Sequence, residues 1–271
     1  MESNQKPARV AILGAGNIGQ ALARGLVEHG GFAPQAIVLT RRRVEALDEL
    51  AREGFRVTTD NSEALLSAPI AILAVEPRQT EALARQLAQT LNGTNKVIVS
   101  VATGVPIHDL DTWLDQPGTI RAMPNTAAAL GQSMTCLTKG GATNDDALLQ
   151  AQTLFGLVGE TLEIEEELMT QATALAACGI AFFLRAIRAA SQGGIEIGFH
   201  PQEALKLAAQ TALGAASLVS QGANPAHPEA AIDAVTTPRG CTIAGLNEME
   251  HRGFSSAIIR GIVTSAQKAG A

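Results

Sequence analysis

The stretch Val10-Ala-Ile-Leu-Gly-Ala-Gly-Asn-Ile-Gly-Gln-Ala21 decides how this chain folds. Four apolar residues read as a buried strand, the spacing Gly14-x-Gly16-x-x-Gly19 follows at once, and an apolar-periodic helix begins without a linker. Each glycine has its own physical reason. Gly14 permits the tight turn, Gly16 lets backbone approach a pyrophosphate, and Gly19 lets helix and strand pack closely. The first amides of the new helix, at Asn17 and Ile18, then face phosphate charge. An ordinary Gly-rich turn carries three glycines too, but here strand, spacing and helix coincide. The motif reads as a dinucleotide site at the head of a Rossmann-like domain.

Outward from this motif, strands and helices alternate. Strands are expected at Val10–Leu13, Ala36–Leu39, Phe55–Thr58, Ile70–Val75, Val97–Val101 and Gly118–Met123, with Ser133–Leu137 and Thr161–Ile164 extending the sheet. Helices are expected at Asn17–His29, Arg43–Arg52, Arg78–Leu91 and Asn144–Phe155. Near-continuous apolar strands separated by helices indicate a mostly parallel sheet covered on both faces. After Glu163 no further strand is legible. The fold class is therefore α/β, with a Rossmann-like domain over residues 1–163 and an all-helical domain over 164–271.

The helical half opens with a helix expected over Glu165–Ser191 that is apolar almost all round. Leu168, Ala172, Leu175, Gly179, Phe182 and Ala186 form one stripe, and Met169, Ala176, Phe183 and Ile187 a second. Such a helix has to be surrounded on most sides. The helices left to do so, at Pro201–Ser220, Pro225–Val235, Gly240–Met249 and Ser255–Lys268, are too few. A second subunit packing against it is the expectation, which makes this a dimerisation domain.

Composition narrows the class of partner. The chain has 271 residues, 46% of them hydrophobic, only 3% aromatic and none of them Tyr, so Ala, Leu, Ile and Val build the core. A net charge of −6 offers no basic stripe for nucleic acid. The apolar runs are interrupted before membrane-spanning length, so no membrane partner is expected. Met1–Arg9 lacks a secretory apolar region, and Cys136, Cys178 and Cys241 show no metal spacing and cannot all pair. A reduced cytoplasm is the simplest setting. The five histidines are scattered without ligand spacing, so no metal site is expected.

The second strand says which nicotinamide cofactor is preferred. An NAD-specific site places a carboxylate there to hold the ribose hydroxyls. This strand instead ends Val38-Leu39-Thr40-Arg41-Arg42-Arg43, a hydroxyl followed by three guanidinium groups. Guanidinium forks suit a 2′-phosphate, which a carboxylate would repel. NADPH is the expected cofactor, with NADH also admitted, and Asn61 after the third strand is placed to reach the adenosine side.

Further motifs accompany the glycine fingerprint. They are Ala74-Val75-Glu76-Pro77, Ser100-Val101-Ala102-Thr103-Gly104-Val105, Arg121-Ala122-Met123-Pro124-Asn125-Thr126, and Asp233-Ala-Val-Thr-Thr-Pro-Arg-Gly-Cys-Thr-Ile-Ala-Gly-Leu246. In order and spacing the chain resembles the pyrroline-5-carboxylate reductases over essentially its whole length. The resemblance implies hydride transfer from NAD(P)H to a small cyclic imino acid, giving L-proline, in a homodimer or larger homo-oligomer. It implies that Ala74, Val75, Glu76 and Pro77, with Ser100, Val101 and Ala102, line the nicotinamide end. Met123, Pro124 and Asn125 would form the junction with the substrate. Thr237, Gly240, Cys241 and Thr242 would open a helix whose amides grip the substrate carboxylate, an arrangement that also stands on physics. Thr242 is the implied catalytic residue, as a hydrogen-bonding group at the ring nitrogen rather than a strong acid. Glu165 matches a substrate-side position.

The chain departs from the family in places. Glu76 stands where a Lys is usual, Arg239 where Gly is usual, and Cys241 where Thr or Ala is common. Ala176-Ala177-Cys178-Gly179-Ile180 replaces a Ser-Gly-Ser-Gly-Pro run, and losing that proline should make the long helix more regular. Two alternatives stay open. One is a reductase of a related cyclic imine such as piperideine carboxylate, since one methylene is worth only about 1–3 kcal/mol in a pocket. The other is a nicotinamide-binding regulator without turnover.

Overall fold

Strand β1 (Val10–Leu13) takes an interior place in the sheet, where all four of its apolar side chains are fully buried. The computed structural model describes residues 9–220 and 227–270. Around β1 lie β2 (Ile37–Thr40), β3 (Arg56–Thr58), β4 (Ile70–Leu73), β5 (Val97–Ser100), β6 (Ile120–Met123), β7 (Ser133–Lys139) and β8 (Gly159–Glu163). They form one sheet in the order β3-β2-β1-β4-β5-β6-β7-β8, parallel except between β6 and β7. All eight strands fall where apolar runs placed them. The strand order turns back between β1 and β4, and that crossing leaves a crevice beyond the carboxyl ends of the strands. Leu13 is in register with Thr40 on one side and Leu73 on the other, so three strand ends stand level beside Gly14.

The alternation of β1 divides the core into two layers. Val10 and Ile12 pack on one face with Leu22, Leu26 and Phe155, which come from α1 (Asn17–Glu28) and α6 (Asp145–Gly156). Ala11 and Leu13 pack on the other with Leu65, Leu83, Leu87 and Leu114. Those residues belong to α3 (Asn61–Ser67), α4 (Pro77–Leu91) and α5 (Ile107–Leu114).

Two of these helices go beyond expectation. α3 and α5 are not legible in the sequence, because seven or eight residues give too little periodicity to read. The α3 helix is fixed by its cap: the Asp60 carboxylate accepts from the N–H groups of Ser62 at 2.8 Å and Glu63 at 3.0 Å. The α5 helix begins at Ile107, whose N–H donates to Glu166 at 2.7 Å, a partner 59 residues away. The helix expected over Arg43–Arg52 is a 3-10 turn, Val44–Leu47, followed by α2 (Asp48–Arg52).

The long apolar helix is not regular, which corrects the expectation drawn from its missing proline. It consists of a 3-10 turn at Glu166–Leu168, α7 (Met169–Ala172), a π-helical turn at Thr173–Ala177 and α8 (Gly179–Glu196). The Cys178 N–H reaches back five residues to the Thr173 carbonyl at 2.9 Å. The Thr173 hydroxyl donates to the Met169 carbonyl at 2.9 Å, and Asn125 engages the Ala176 carbonyl from outside the helix. These bonds draw polar backbone groups out of the regular ladder, and no proline is needed. The helices α9 (Pro201–Ser220), α10 (Pro228–Ala234), α11 (Cys241–His251) and α12 (Phe254–Ala269) complete the chain. Residues 225 and 226, where the helix expected from Pro225 would begin, lie outside the described residues.

The chain divides into two compact units. One runs to Cys178 and takes back the residues from Ala266 on, and the other is Gly179–Ser265. The second unit carries large apolar side chains at its surface, with Phe183 65% exposed and Leu213 58%. By length and composition alone the stretch Glu166–Glu196 is apolar enough to cross a membrane.

Candidate active site

The three glycines of the fingerprint are accounted for separately. Gly14 has φ +90°, and a Cβ there would stand 2.3 Å from Val75 Cγ1, so the β1 turn and the β4 end meet at this residue. A Cβ on Gly19 would sit 3.0 Å from Ile12 Cγ2, which is the close helix–strand packing expected. Gly16 differs: an added Cβ would meet only the Gly14 carbonyl, at 4.0 Å, so what needs room there is outside the protein. Gly16 is the N-cap of α1, with no side-chain cap and no acidic residue in the first turn. The first amides and the positive end of the helix dipole are left to an anion.

Thr40, at the end of β2, holds this turn in place. Its hydroxyl accepts from the Gly14 N–H at 3.1 Å and donates to Asn61 Oδ1 at 2.6 Å. Its carbonyl accepts from Gly14 and Ala15 N–H at 3.2 and 2.8 Å. Because Asn61 Oδ1 is taken, its amide Nδ2 is left to donate, reaching Gln86 Oε1 at 3.5 Å. The residues open into a cleft of about 570 Å³ lined by Gly14, Gly16, Thr40, Arg41, Arg42, Asn61, Ala74, Val75 and Glu76, together with Arg43 and Gln79. Arg43 completes the arginine run read in the sequence, whereas Gln79, just inside α4, carries no signal in the sequence that would mark it as a site residue. The three arginines are exposed. Glu76 is the N-cap residue of α4, and its carboxylate accepts from Arg78 Nε at 2.7 Å.

The remaining cofactor-side residues do not line that cleft. Asn17 is exposed at the first position of α1, Ile18 is half-buried beside it, and Gly19 is buried. Pro77 opens α4. Ser100, Val101 and Ala102 are buried at the end of β5, where the Ser100 hydroxyl accepts from the Ala102 N–H at 3.3 Å.

At the end of β6, Met123, Pro124 and Asn125 are all buried. Met123 packs with Cys136 and Met169 in a small apolar cluster, and burial pushes the Cys136 thiol up, so it remains protonated and inert. The Asn125 side chain is already employed within the fold. Its Oδ1 accepts from the Ala127 N–H at 3.0 Å and its Nδ2 donates to the Ala176 carbonyl at 3.2 Å. Glu165 is the exposed N-cap residue of the 3-10 turn but its side chain makes no cap, whereas its neighbour Glu166, not singled out by the sequence, pairs with Arg121 at 2.9 Å.

In the second unit, Thr237, Pro238, Arg239 and Gly240 form a turn closed by the Gly240 N–H and the Thr237 carbonyl at 2.9 Å. Arg239 has φ +61°, the third position of a turn that prefers glycine there. A Cβ on Gly240 would lie 2.5 Å from Thr237 Oγ1 and 3.0 Å from the Thr237 carbonyl oxygen, so a larger residue would displace the Thr237 hydroxyl. Gly240 then caps α11 with neither a side-chain cap nor an acid in the first turn. Cys241 and Thr242 occupy its first two positions, Cys241 exposed and Thr242 half-buried. Uncapped amides beside two threonine hydroxyls suit a carboxylate. Among the described residues no group of three or more His, Cys, Asp or Glu side chains could hold a metal ion.

Comparison with known proteins agrees with this geometry. The family model described as pyrroline-5-carboxylate reductase dimerisation matches residues 166–271, and one described as NADP oxidoreductase, coenzyme F420-dependent, matches residues 9–104. The chain is 45% identical over 276 residues to pyrroline-5-carboxylate reductase 2 of Dictyostelium discoideum, covering 96% of this chain and 91% of that one. It is 49% identical over 272 residues to pyrroline-5-carboxylate reductase 1 of the same organism, covering 96% of this chain but spanning only 49% of that relative's length. A pyrroline-5-carboxylate reductase structure from Coxiella burnetii matches with a TM-score of 0.86 at 25% identity, over 97% of this chain and 98% of that one. The uncapped α1 terminus, the arginine-lined cleft and the relative matched over 91% of its length lead to one conclusion: the chain belongs to the pyrroline-5-carboxylate reductase family and is an NAD(P)H-dependent oxidoreductase.

Proposed function

We propose that the protein reduces the C=N bond of 1-pyrroline-5-carboxylate to the secondary amine of L-proline, with NADPH as its preferred reductant. The observation that carries this reading is a match over 91% of a reductase's length in a chain that keeps both substrate-side motifs. The bound nicotinamide supplies the hydride, and the protein's own groups bind, orient and exclude water. The α1 amides at Asn17 and Ile18 take the pyrophosphate, while Thr40, Arg41, Arg42 and Asn61 take the adenosine end. The absence of a carboxylate after β2 and the three arginines beside the cleft support the phosphate-bearing cofactor.

Met123, Pro124 and Asn125, with Ser100–Ala102 and Ala74–Pro77, bound the nicotinamide end, and Glu165 lies on the substrate side. The first amides of α11 and the Thr237 hydroxyl receive the substrate carboxylate. Thr242 orients the ring nitrogen by a hydrogen bond, and water delivers the proton, since a threonine hydroxyl does not ionise near neutral pH. The protein works as a homodimer or larger homo-oligomer in the cytoplasm. The dimerisation model over residues 166–271 and the exposed Phe183 and Leu213 support a partner subunit, rather than lipid, as the cover for the apolar helix.

The test is NADPH oxidation with freshly prepared pyrroline-5-carboxylate, beside the six-membered imine and beside NADH. Fastest turnover with the five-membered ring and NADPH is expected, and Thr242→Ala should lower turnover about tenfold or more while leaving NADPH affinity unchanged. The departure of the Ala176–Ile180 run from the family pattern keeps a related cyclic imine, such as the six-membered ring, as the second reading. NADPH binding with no turnover of either ring would refute the reductase activity.

A further inference from the structure

Arg121 is the only charged residue among the described ones that is buried, at 6% exposure. It sits on β6 two positions before Met123, and its Nη1 donates to Glu166 Oε1 at 2.9 Å. The same oxygen accepts from the Ile107 N–H, the first of α5, at 2.7 Å. One carboxylate oxygen thus joins β6, the start of α5 and the first turn of the helical segment. Three residues on, Met169 packs in the cluster with Met123 and Cys136. Ten residues on, the Ala176 carbonyl accepts from Asn125. The segment Glu166–Ala177 is therefore fastened to the end of β6 on both sides of Met123-Pro124, by a charged tie before and an amide tie after.

Stability alone does not call for the charged tie. Arg121 is enclosed while Glu166 is half-buried, and an ion pair drawn out of water in this way can commonly be exchanged for apolar side chains of similar volume with little loss, because desolvation offsets much of its attraction. What an apolar pair lacks is direction. Hydride transfer depends on holding the reacting atoms at roughly 3–3.5 Å, and small displacements cost large factors in rate.

Building on the reductase reading, we infer that Glu166 is a positioning residue, acting through Arg121 to set the Met123–Asn125 segment for hydride transfer. The variant Glu166→Gln keeps an acceptor for Ile107 but loses the charge. It should bind NADPH with wild-type affinity, yet show kcat lowered about tenfold or more at saturating substrates. Its primary isotope effect with 4-deuterated NADPH should exceed that of the wild type, since the hydride step then limits turnover. The double variant Arg121→Met/Glu166→Met removes both charges of the pair together, so that the enclosed arginine is not left unpaired, and guards against simple misfolding. It should regain thermal stability and remain slow. Wild-type kcat and isotope effect per folded Glu166→Gln enzyme would overturn the inference, as would full turnover in the double variant. An inactive wild-type protein that binds NADPH would instead overturn the reductase reading, and this inference with it.

Discussion

Asn125 Nδ2 donates to the Ala176 carbonyl at 3.2 Å, joining the end of β6 to the π turn of the long apolar helix. The same side chain caps the 3-10 turn Thr126–Leu130 through Oδ1, and its backbone N–H donates to Ser133 Oγ at 3.1 Å. Removing the amide strands a carbonyl and an N–H that are paired in the native fold. Asn125→Ala should cost about 1–3 kcal/mol, or several degrees of Tm for a chain of this size at about 2–4 °C per kcal/mol. An unchanged melting temperature would show that the junction is not under tension from both sides.

Gly25 lies on α1 directly beneath that 3-10 turn, and a Cβ there would stand 2.0 Å from the Ala128 carbonyl oxygen. Helix propensity favours alanine over glycine by about 1 kcal/mol. Overpacking against fixed backbone typically costs about 1–3 kcal/mol or more, and at this distance it should win. Gly25→Ala is therefore expected to lower the urea midpoint. A stabilised variant would mean that α1 can slide away from the Asn125 turn.

Arg41 and Arg42 line the cleft beyond Thr40. Replacing both with Ala removes two guanidinium groups suited to a 2′-phosphate and leaves the Gly14–Thr40–Asn61 bonds untouched. NADPH affinity, followed by fluorescence titration, should drop by one to two orders of magnitude, at about 1.4 kcal/mol per tenfold. NADH affinity should change little. Equal losses for both cofactors would remove the phosphate assignment.

Arg239 occupies the left-handed region at φ +61°. That conformation costs a non-glycine residue about 1–2 kcal/mol, while glycine adds back about 0.4–1 kcal/mol of chain entropy in the unfolded state. The first effect is the larger, so Arg239→Gly should raise stability by about 0.5–1 kcal/mol, measured by denaturant unfolding. Destabilisation would indicate that the arginine side chain makes a contact that outweighs the strain.

The residues themselves dictated much of this protein. Fully apolar runs such as Val10–Leu13, ended by glycines and alternating with helices, read as buried parallel strands, and the three glycines each meet the obstacle or opening their spacing implied. The arginine run after Thr40 likewise needed no coordinates to be noticed. These signals lie among neighbouring residues, where turn geometry and side-chain alternation act directly. The tertiary structure decided the rest. Glu166 rather than Glu165 is the acid that matters to β6, α5 needs a carboxylate 59 residues away, and the π turn depends on an amide 51 residues away. Such choices rest on which surfaces meet after the sheet has formed, and a backbone group then takes the partner it is brought to rather than its neighbour in the chain.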